Sequence, residues 1–428
     1  MSEASLTNKL FLPFVYTIIP VAAVFVRLAI VNIFFLFLFL SSPGQSVRPD
    51  TVSPDRSIPQ KDIADYLRKW FNFKPSAKTE SMQPGDHLTV SVLPAAGYTL
   101  QTRLAAILTG NIAFFTSTDP GTKLSVVNAN VTYTQNAQFT IPVQSNIWLP
   151  GNEWNLTGDW RYMKYPQSTF GLGSNASLKD EDPMDYHYIR IYQNILKKIT
   201  HNFSAGIGYD LDYHWNISEE GLNDGHISDY ILYGPAQKTV SSGLSMNLSY
   251  DTRKNIINPL QGLSAIATLR NNSTWLGSNS NWQSLLIDIR KYFMIEGSRK
   301  QVLALWSYNW LILGGKPPYL DLPSTGWDGY NNSGRGFIQG RYRGERMIYL
   351  ESEYRFDITR NGVLGAVTFI NAETFSGLHS KSLQSVQPGA GLGLRLKLNK
   401  KSDTNIAVDY GFGTQGSRGL FVNIGEVF

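Results

Sequence analysis

From about residue 86 to its last residue the chain repeats one pattern. Segments of roughly ten residues alternate apolar and polar side chains and are separated by turn chemistry such as Asp119-Pro120-Gly121, Pro150-Gly151-Asn152, Asn223-Asp224-Gly225 and Asn361-Gly362. Period two puts successive side chains on opposite faces of a strand. Within 405–412, Ile406, Val408, Tyr410 and Phe412 share one face, and Asn405, Ala407, Asp409 and Gly411 the other. Within 391–398, Leu392, Leu394, Leu396 and Leu398 oppose Gly391, Gly393, Arg395 and Lys397. Within 347–357, Ile348, Leu350, Tyr354 and Phe356 oppose Glu351, Glu353, Arg355 and Asp357. A soluble sandwich also alternates, and its wet face can carry charge. A transmembrane barrel alternates between lipid and a polar lumen. About sixteen such segments follow residue 86, an even number as in bacterial single-chain barrels.

The N-terminus bears on the choice. Residues 10–40 are almost continuously apolar. One reading is a transmembrane helix, since more than about 18 apolar residues can cross a bilayer. The other is a signal peptide whose true start is Val26, with Arg27 as its basic region, 28–40 as its apolar core and a small-residue cleavage site ahead of Gln45. Either reading puts the chain on the secretory route. The expected organisation is a signal peptide over 1–44, a periplasmic linker over 45–84 and a β-barrel over 85–428. In the linker, Ile63, Tyr66, Leu67 and Trp70 recur at helical spacing within 61–73, as a fraying amphipathic turn or as a plug or lid. The fold class expected is all-β, a closed antiparallel transmembrane β-barrel: lipid satisfies no backbone group, so the sheet must close on itself. The long stretches 164–184, 216–235 and 314–345 read as extracellular loops, with Trp154, Trp160, Tyr162 and Tyr165 placed as interfacial aromatics.

Composition removes several functions. There is no cysteine, hence no disulfide framework, thiolate metal site, cysteine nucleophile or lipoprotein anchor. A net charge of +5 over 428 residues provides no concentrated basic face for nucleic acid. The six histidines are scattered, and neither a Gly-x-Ser-x-Gly elbow nor a His-Glu-x-x-His pair occurs, so no enzyme, no cofactor and no metal is expected. Asp180, Glu181, Asp182 and Asp185 could hold calcium through oxygen ligands, but an acidic solvated loop is the commoner reading.

The run Gly334-Arg335-Gly336-Phe337-Ile338-Gln339-Gly340-Arg341-Tyr342-Arg343-Gly344 resembles the loop-six motif of the BamA/TamA superfamily. That motif has a hydrophobic residue before Arg-Gly-Phe or Arg-Gly-Tyr, and Gly334 departs from it. Glu353-Tyr354-Arg355-Phe356, Asp409-Tyr410-Gly411-Phe412-Gly413 and the ending Gly425-Glu426-Val427-Phe428 also fit the family. Pro94–Tyr98 and the 157–162 segment fit its short members, those without periplasmic POTRA modules, more loosely. The resemblance implies that Arg335 folds back into the lumen and bonds acids on the wall. Glu351 and Glu353 lie on the inward face by alternation. The family's Phe-x-Asp-x-Gly strand corresponds to Phe369, Asn371 and Glu373, so asparagine replaces aspartate, and the resemblance leaves the charge to Glu353 or Glu373. Arg341, Arg343 and Arg346 would join this internal network or bind lipid phosphate. Residues 419–428 read as one ten-residue strand ending in a β-signal of Leu420, Val422, Ile424 and Phe428, with Glu426 near the periplasmic rim. The family further implies residence in the bacterial outer membrane, and contact with outer-membrane lipid, with the assembly machinery for its own insertion and with client membrane proteins. The implied activity is protein insertion or translocation, through a weak seam between a first strand near 87–93 and the last. A passive pore or a structural subunit of a complex is the alternative.

Overall fold

A computed structural model describes residues 59–63, 65–66, 88–295 and 300–428. The chain divides into two compact units, 1–53 and 54–428, and every described residue lies in the second. The expected signal peptide and most of the linker therefore lie outside the described residues.

The alternating segments form one antiparallel sheet. Its wall runs through β1 (Thr89–Thr99), β2 (Arg103–Phe114), β3 (Ser125–Thr134), β4 (Phe139–Trp148) and β5 (Trp154–Lys164). A three-residue β6 (Gln167–Thr169) adds to the edge of the long β7 (Asp182–Lys198). The wall continues from β5 directly to β7 and then through β8 (Phe203–Glu219), β9 (Lys238–Asp251), β10 (Gly262–Asn272), β11 (Trp282–Ile295) and β12 (Gln301–Gly315). It ends with β13 (Arg346–Asp357), β14 (Leu364–Phe375), β15 (Gln387–Asn399), β16 (Thr404–Phe412) and β17 (Arg418–Ile424). β1 pairs with both β2 and β17, so sixteen wall strands close into a barrel. One end carries the long connections between β5 and β7, β8 and β9, and β12 and β13. In outer-membrane barrels that end is extracellular.

Register decides which residues meet in the lumen. Directly paired residues share a face. Glu351 pairs with Asn371 and Glu353 with Phe369. Asp409 pairs with Gly393, and Arg395 with Ala407. All of these point inward and are buried, whereas Leu392 and Leu394 on the opposite parity stay exposed to the lipid side.

Two sequence expectations are corrected at the periplasmic end. β17 has seven residues, not ten. It stops at Ile424, and Gly425 takes a φ of 98°, a left-handed conformation that breaks the alternation. Glu426, Val427 and Phe428 therefore turn into the lumen instead of continuing along the wall. Leu420, Val422 and Ile424 keep the outward parity of β17, but Phe428 does not: it is 4% exposed and its ring lies 5.2 Å from that of Trp306. Beneath it the β9–β10 turn crosses the barrel mouth: Asn258 Nδ2 donates to the carbonyl of Asp403, at 3.1 Å, and Asn255 Nδ2 to that of Ser402, at 3.2 Å. Part of the 61–73 segment is described, with Ile63, Asp65 and Tyr66 helical. It is tied to two periplasmic turns. Lys61 N donates to Asn361 O at 3.0 Å, and Lys400 Nζ meets Asp65 at 2.6 Å.

A charge on the lipid face has no partner. Leu394→Arg, near the middle of β15, should cost about 2–4 kcal/mol, and Leu398→Arg, near its periplasmic end, about 0–1 kcal/mol. Urea unfolding of both variants in lipid vesicles measures the difference.

Candidate functional site in the lumen

The 30-residue connection between β12 and β13, here loop six, folds back into the barrel instead of standing over it. Its approach requires glycine on both sides. Gly336 has φ 103°, and a Cβ there would lie 2.8 Å from the backbone of Phe412. A Cβ on Gly411 would lie 2.6 Å from the amide nitrogen of Gly336. This close contact carries Arg335 to the wall, where it is 2% exposed.

The guanidinium has five donors in a fixed fork and keeps its charge when buried. Its Nη2 donates to both Glu351 and Glu353, and its Nη1 to Asp409 at 2.7 Å. The Phe369 ring lies 3.7 Å beneath its Cζ, a cation–π contact. Asn371 Nδ2 donates to the carbonyl of Arg335 at 2.9 Å, so this asparagine holds the loop backbone and accepts nothing from the guanidinium. Glu373 does not reach Arg335. Its carboxylate accepts from the Thr325 hydroxyl at 3.0 and 3.1 Å, because it sits nearer the extracellular end of β14, beside the start of the returning loop. Gly334 leaves room for this pair, since a Cβ there would meet the Thr325 side chain at 2.4 Å. Phe337, 2% exposed, packs edge-on to Tyr342 with ring centres 5.5 Å apart.

The network extends beyond the residues named from sequence. Arg395 Nη1 donates to Asp409 at 2.5 Å and its Nε to Glu426 at 2.7 Å. Arg355 Nε donates to Glu353 at 2.5 Å and its Nη2 to the carbonyl of Phe428 at 2.7 Å. Tyr349 donates to Glu351. Three guanidinium groups thus face four carboxylates, and the C-terminal tail is held by the same knot as loop six. Arg341 and Arg343 take backbone partners: Arg341 Nη2 donates to Ala176 O at 2.7 Å, and Arg343 Nη1 to Tyr319 O at 3.1 Å. A second buried cluster, which no motif marks, lies on β5, β7, β8 and β10. There Arg270 Nη1 meets Asp212 at 2.5 Å, and Arg161 Nε meets Asp159 at 2.6 Å. The base of loop six touches this cluster through Asp321, which accepts from Ser241 Oγ at 2.5 Å and lies 3.6 Å from His214 Nδ1. The acidic 180–185 stretch forms no grouping able to hold a metal ion among the described residues.

Removing one partner of a buried ion network leaves uncompensated charge. Arg335→Ala, which leaves Glu351, Glu353 and Asp409 facing one another, should destabilise the barrel by about 3–5 kcal/mol in urea unfolding. Arg335→Lys should recover only part of this, because a point charge cannot serve three carboxylates at once. The Asp321 carboxyl supplies a pH test. Burial, and next the nearby Asp212 carboxylate, push it up from 3.8 to about 7. A raised carboxyl pKa favours the seated loop most below about 4, and this contribution is lost as the pH rises through about 7. Hydrogen exchange over 319–345, corrected for intrinsic rates, should therefore speed up between these values in the wild type. In Asp321→Asn that added dependence should vanish.

Comparison with known proteins places this geometry. The Omp85 superfamily domain matches residues 121–428, well over half of the chain. Among solved structures, BamA from Haemophilus ducreyi lacking POTRA domains 1–3 is similar with a TM-score of 0.54 at 14% identity, covering 79% of this chain and 70% of that one. CdiB from Acinetobacter baumannii gives 0.50 at 14% identity, covering 79% and 65%. CdiB from Escherichia coli gives 0.52 at 12% identity, covering 80% and 63%, so this chain spans about two thirds of the CdiB structures. No curated protein matches by sequence. A barrel of sixteen wall strands with loop six folded into its lumen, matched over most of its length by that domain, belongs to the Omp85 superfamily and resides in the bacterial outer membrane.

Proposed function

We propose that this barrel acts in the insertion or translocation of proteins at the outer membrane, using the junction of β1 and β17 as a seam. The observation that carries the reading is the poverty of that junction. Every other neighbouring pair of long wall strands is joined by a ladder of residue pairs, such as the eleven between β1 and β2. β1 and β17 register at one pair, Tyr98 with Val422. The contact sits at the extracellular end of β1, which runs to Thr99, past the 87–93 expected for the first strand. Among the described residues, the periplasmic length of β1 therefore has no ladder partner on this side and offers an edge of N–H and C=O groups. In lipid such an edge is costly, and an incoming strand that pairs with it removes the cost.

Two further features support the reading. β17 is short: seven residues at about 3.3 Å each fall short of an apolar band about 25 Å tall, even untilted. The tail that would have lengthened it is drawn inward by Arg355 and Arg395. Arg335, by pinning loop six to β13 and β16, keeps the wall beside the seam in shape while the seam itself stays weak.

The test uses the absence of native cysteine. Tyr98→Cys with Val422→Cys gives a pair that oxidation can lock. Proteoliposomes of the full chain should speed the folding of a urea-unfolded eight-stranded outer-membrane barrel into the bilayer. Oxidation should abolish this acceleration and a reductant should restore it. Equal rates in the locked and reduced forms would overturn the seam mechanism.

A further inference from the structure

The lumen is filled unevenly. On β13 to β16 the inward side chains are buried in the network around Arg335. On β1 to β4 the only buried ones are Ala105 and Thr134, both toward the extracellular end. Ser91 pairs with Asn111, Asn111 with Asn128 and Asn128 with Gln144, which sets the inward parity of these four strands. The Asn111 amide donates to Asn128 across the wall at 2.6 Å. Asn128 and Asn146 are exposed, and Leu93, on the same parity, is 64% exposed, although all three face away from lipid. Apart from Arg103 at the extracellular rim, no inward position of β1 to β4 is charged. The wall offers amides, hydroxyls and small apolar groups.

The extracellular end of the same sector is shut. Gln101 is 6% exposed, Thr134 2% and Gln138 0%. The side-chain amides of Gln101 and Gln138 both donate to the carbonyl of Pro166, at 3.2 and 2.8 Å. Pro166 lies in the connection that follows β5, so one carbonyl ties that loop to the tips of two hairpins. On the inner side the sector is bounded by the tip of loop six. Gly329 O accepts from Arg161 at 2.6 Å, Asn332 Nδ2 donates to Val427 O at 2.7 Å, and Tyr330 between them is 66% exposed.

We infer that β1 to β4 line a gated conduit for small uncharged hydrophilic solutes, closed at its extracellular end by Gln101 and Gln138 on the Pro166 carbonyl. A lining without charge concentrates neither cations nor anions, whereas rings of charged side chains select ions. Its hydrogen-bonding groups replace the hydration of a hydroxylated solute. The gate is built from neutral hydrogen bonds, which water can replace without leaving a buried charge unpaired. It uses neither Arg335 nor the β1–β17 seam, so it operates with the seam locked.

The experiment is swelling of proteoliposomes of the full chain in arabinose, with planar-bilayer recording in a potassium chloride gradient. Gln101→Ala with Gln138→Ala should raise the swelling rate about tenfold over the wild type, the shift in open population that two lost neutral hydrogen bonds set. The reversal potential of this open variant should lie near zero. Adding Asn128→Lys should move it toward anion selectivity, which places the path along this wall. All variants are first checked as folded by heat-modifiable gel mobility. A folded double variant that swells no faster than the wild type overturns the inference. So does a wild type already as permeable as the variant. Faster swelling that is blind to Asn128→Lys overturns it too, because the path then lies elsewhere.

Discussion

No backbone N–H or C=O can face hydrocarbon unpaired, and the architecture follows from how the chain meets that demand. Sixteen strands give each other the partners that lipid cannot, along ladders of several residue pairs everywhere except one junction. Closure is thus obligatory for the fold and yet weakest where its two ends meet. The first and last strands enclose the contradiction: β1 is long enough to pair and β17 is too short to answer it.

The same demand passes inward with a different currency. Alternation turns half of every strand into the lumen, and charged groups there must find partners or pay heavily for desolvation. Loop six supplies one such partner from above and the C-terminal tail receives another from below, with Glu353 facing three guanidinium groups and Asp409 two. What fills the barrel is therefore chain that returns into it, not side chains of the wall alone. Along β1 to β4, which among the described residues only the tip of loop six borders, the wall carries no inward charge below its rim, so the distribution of charge follows the distribution of filling.

Much of the fold was legible because period two survives any uncertainty in strand ends. The leucine face of 391–398 and the acidic face of 347–357 read correctly without a register. Arg335, Glu351 and Glu353 were legible through a motif and a parity. Asp409 was missed as their third partner although its strand had been read: nothing local distinguishes an inward aspartate 74 positions away from any other lumen residue. Glu426 and Phe428 were misplaced because parity was carried past Gly425, and one left-handed residue is enough to turn every following side chain to the other side. Glu373 was assigned by a family pattern, but its height along β14 puts it beside Thr325. The Asp159, Arg161, Asp212 and Arg270 cluster draws on β5, β8 and β10, with β7 and β9 between them in the wall, which no single stretch of sequence encodes.

The inward tail also bears on when Phe428 can be reached. Until the tail seats, the Phe428 ring is open to any apolar surface that meets it. After closure it lies under Trp306 with its carbonyl taken by Arg355. The finished barrel no longer displays that ring.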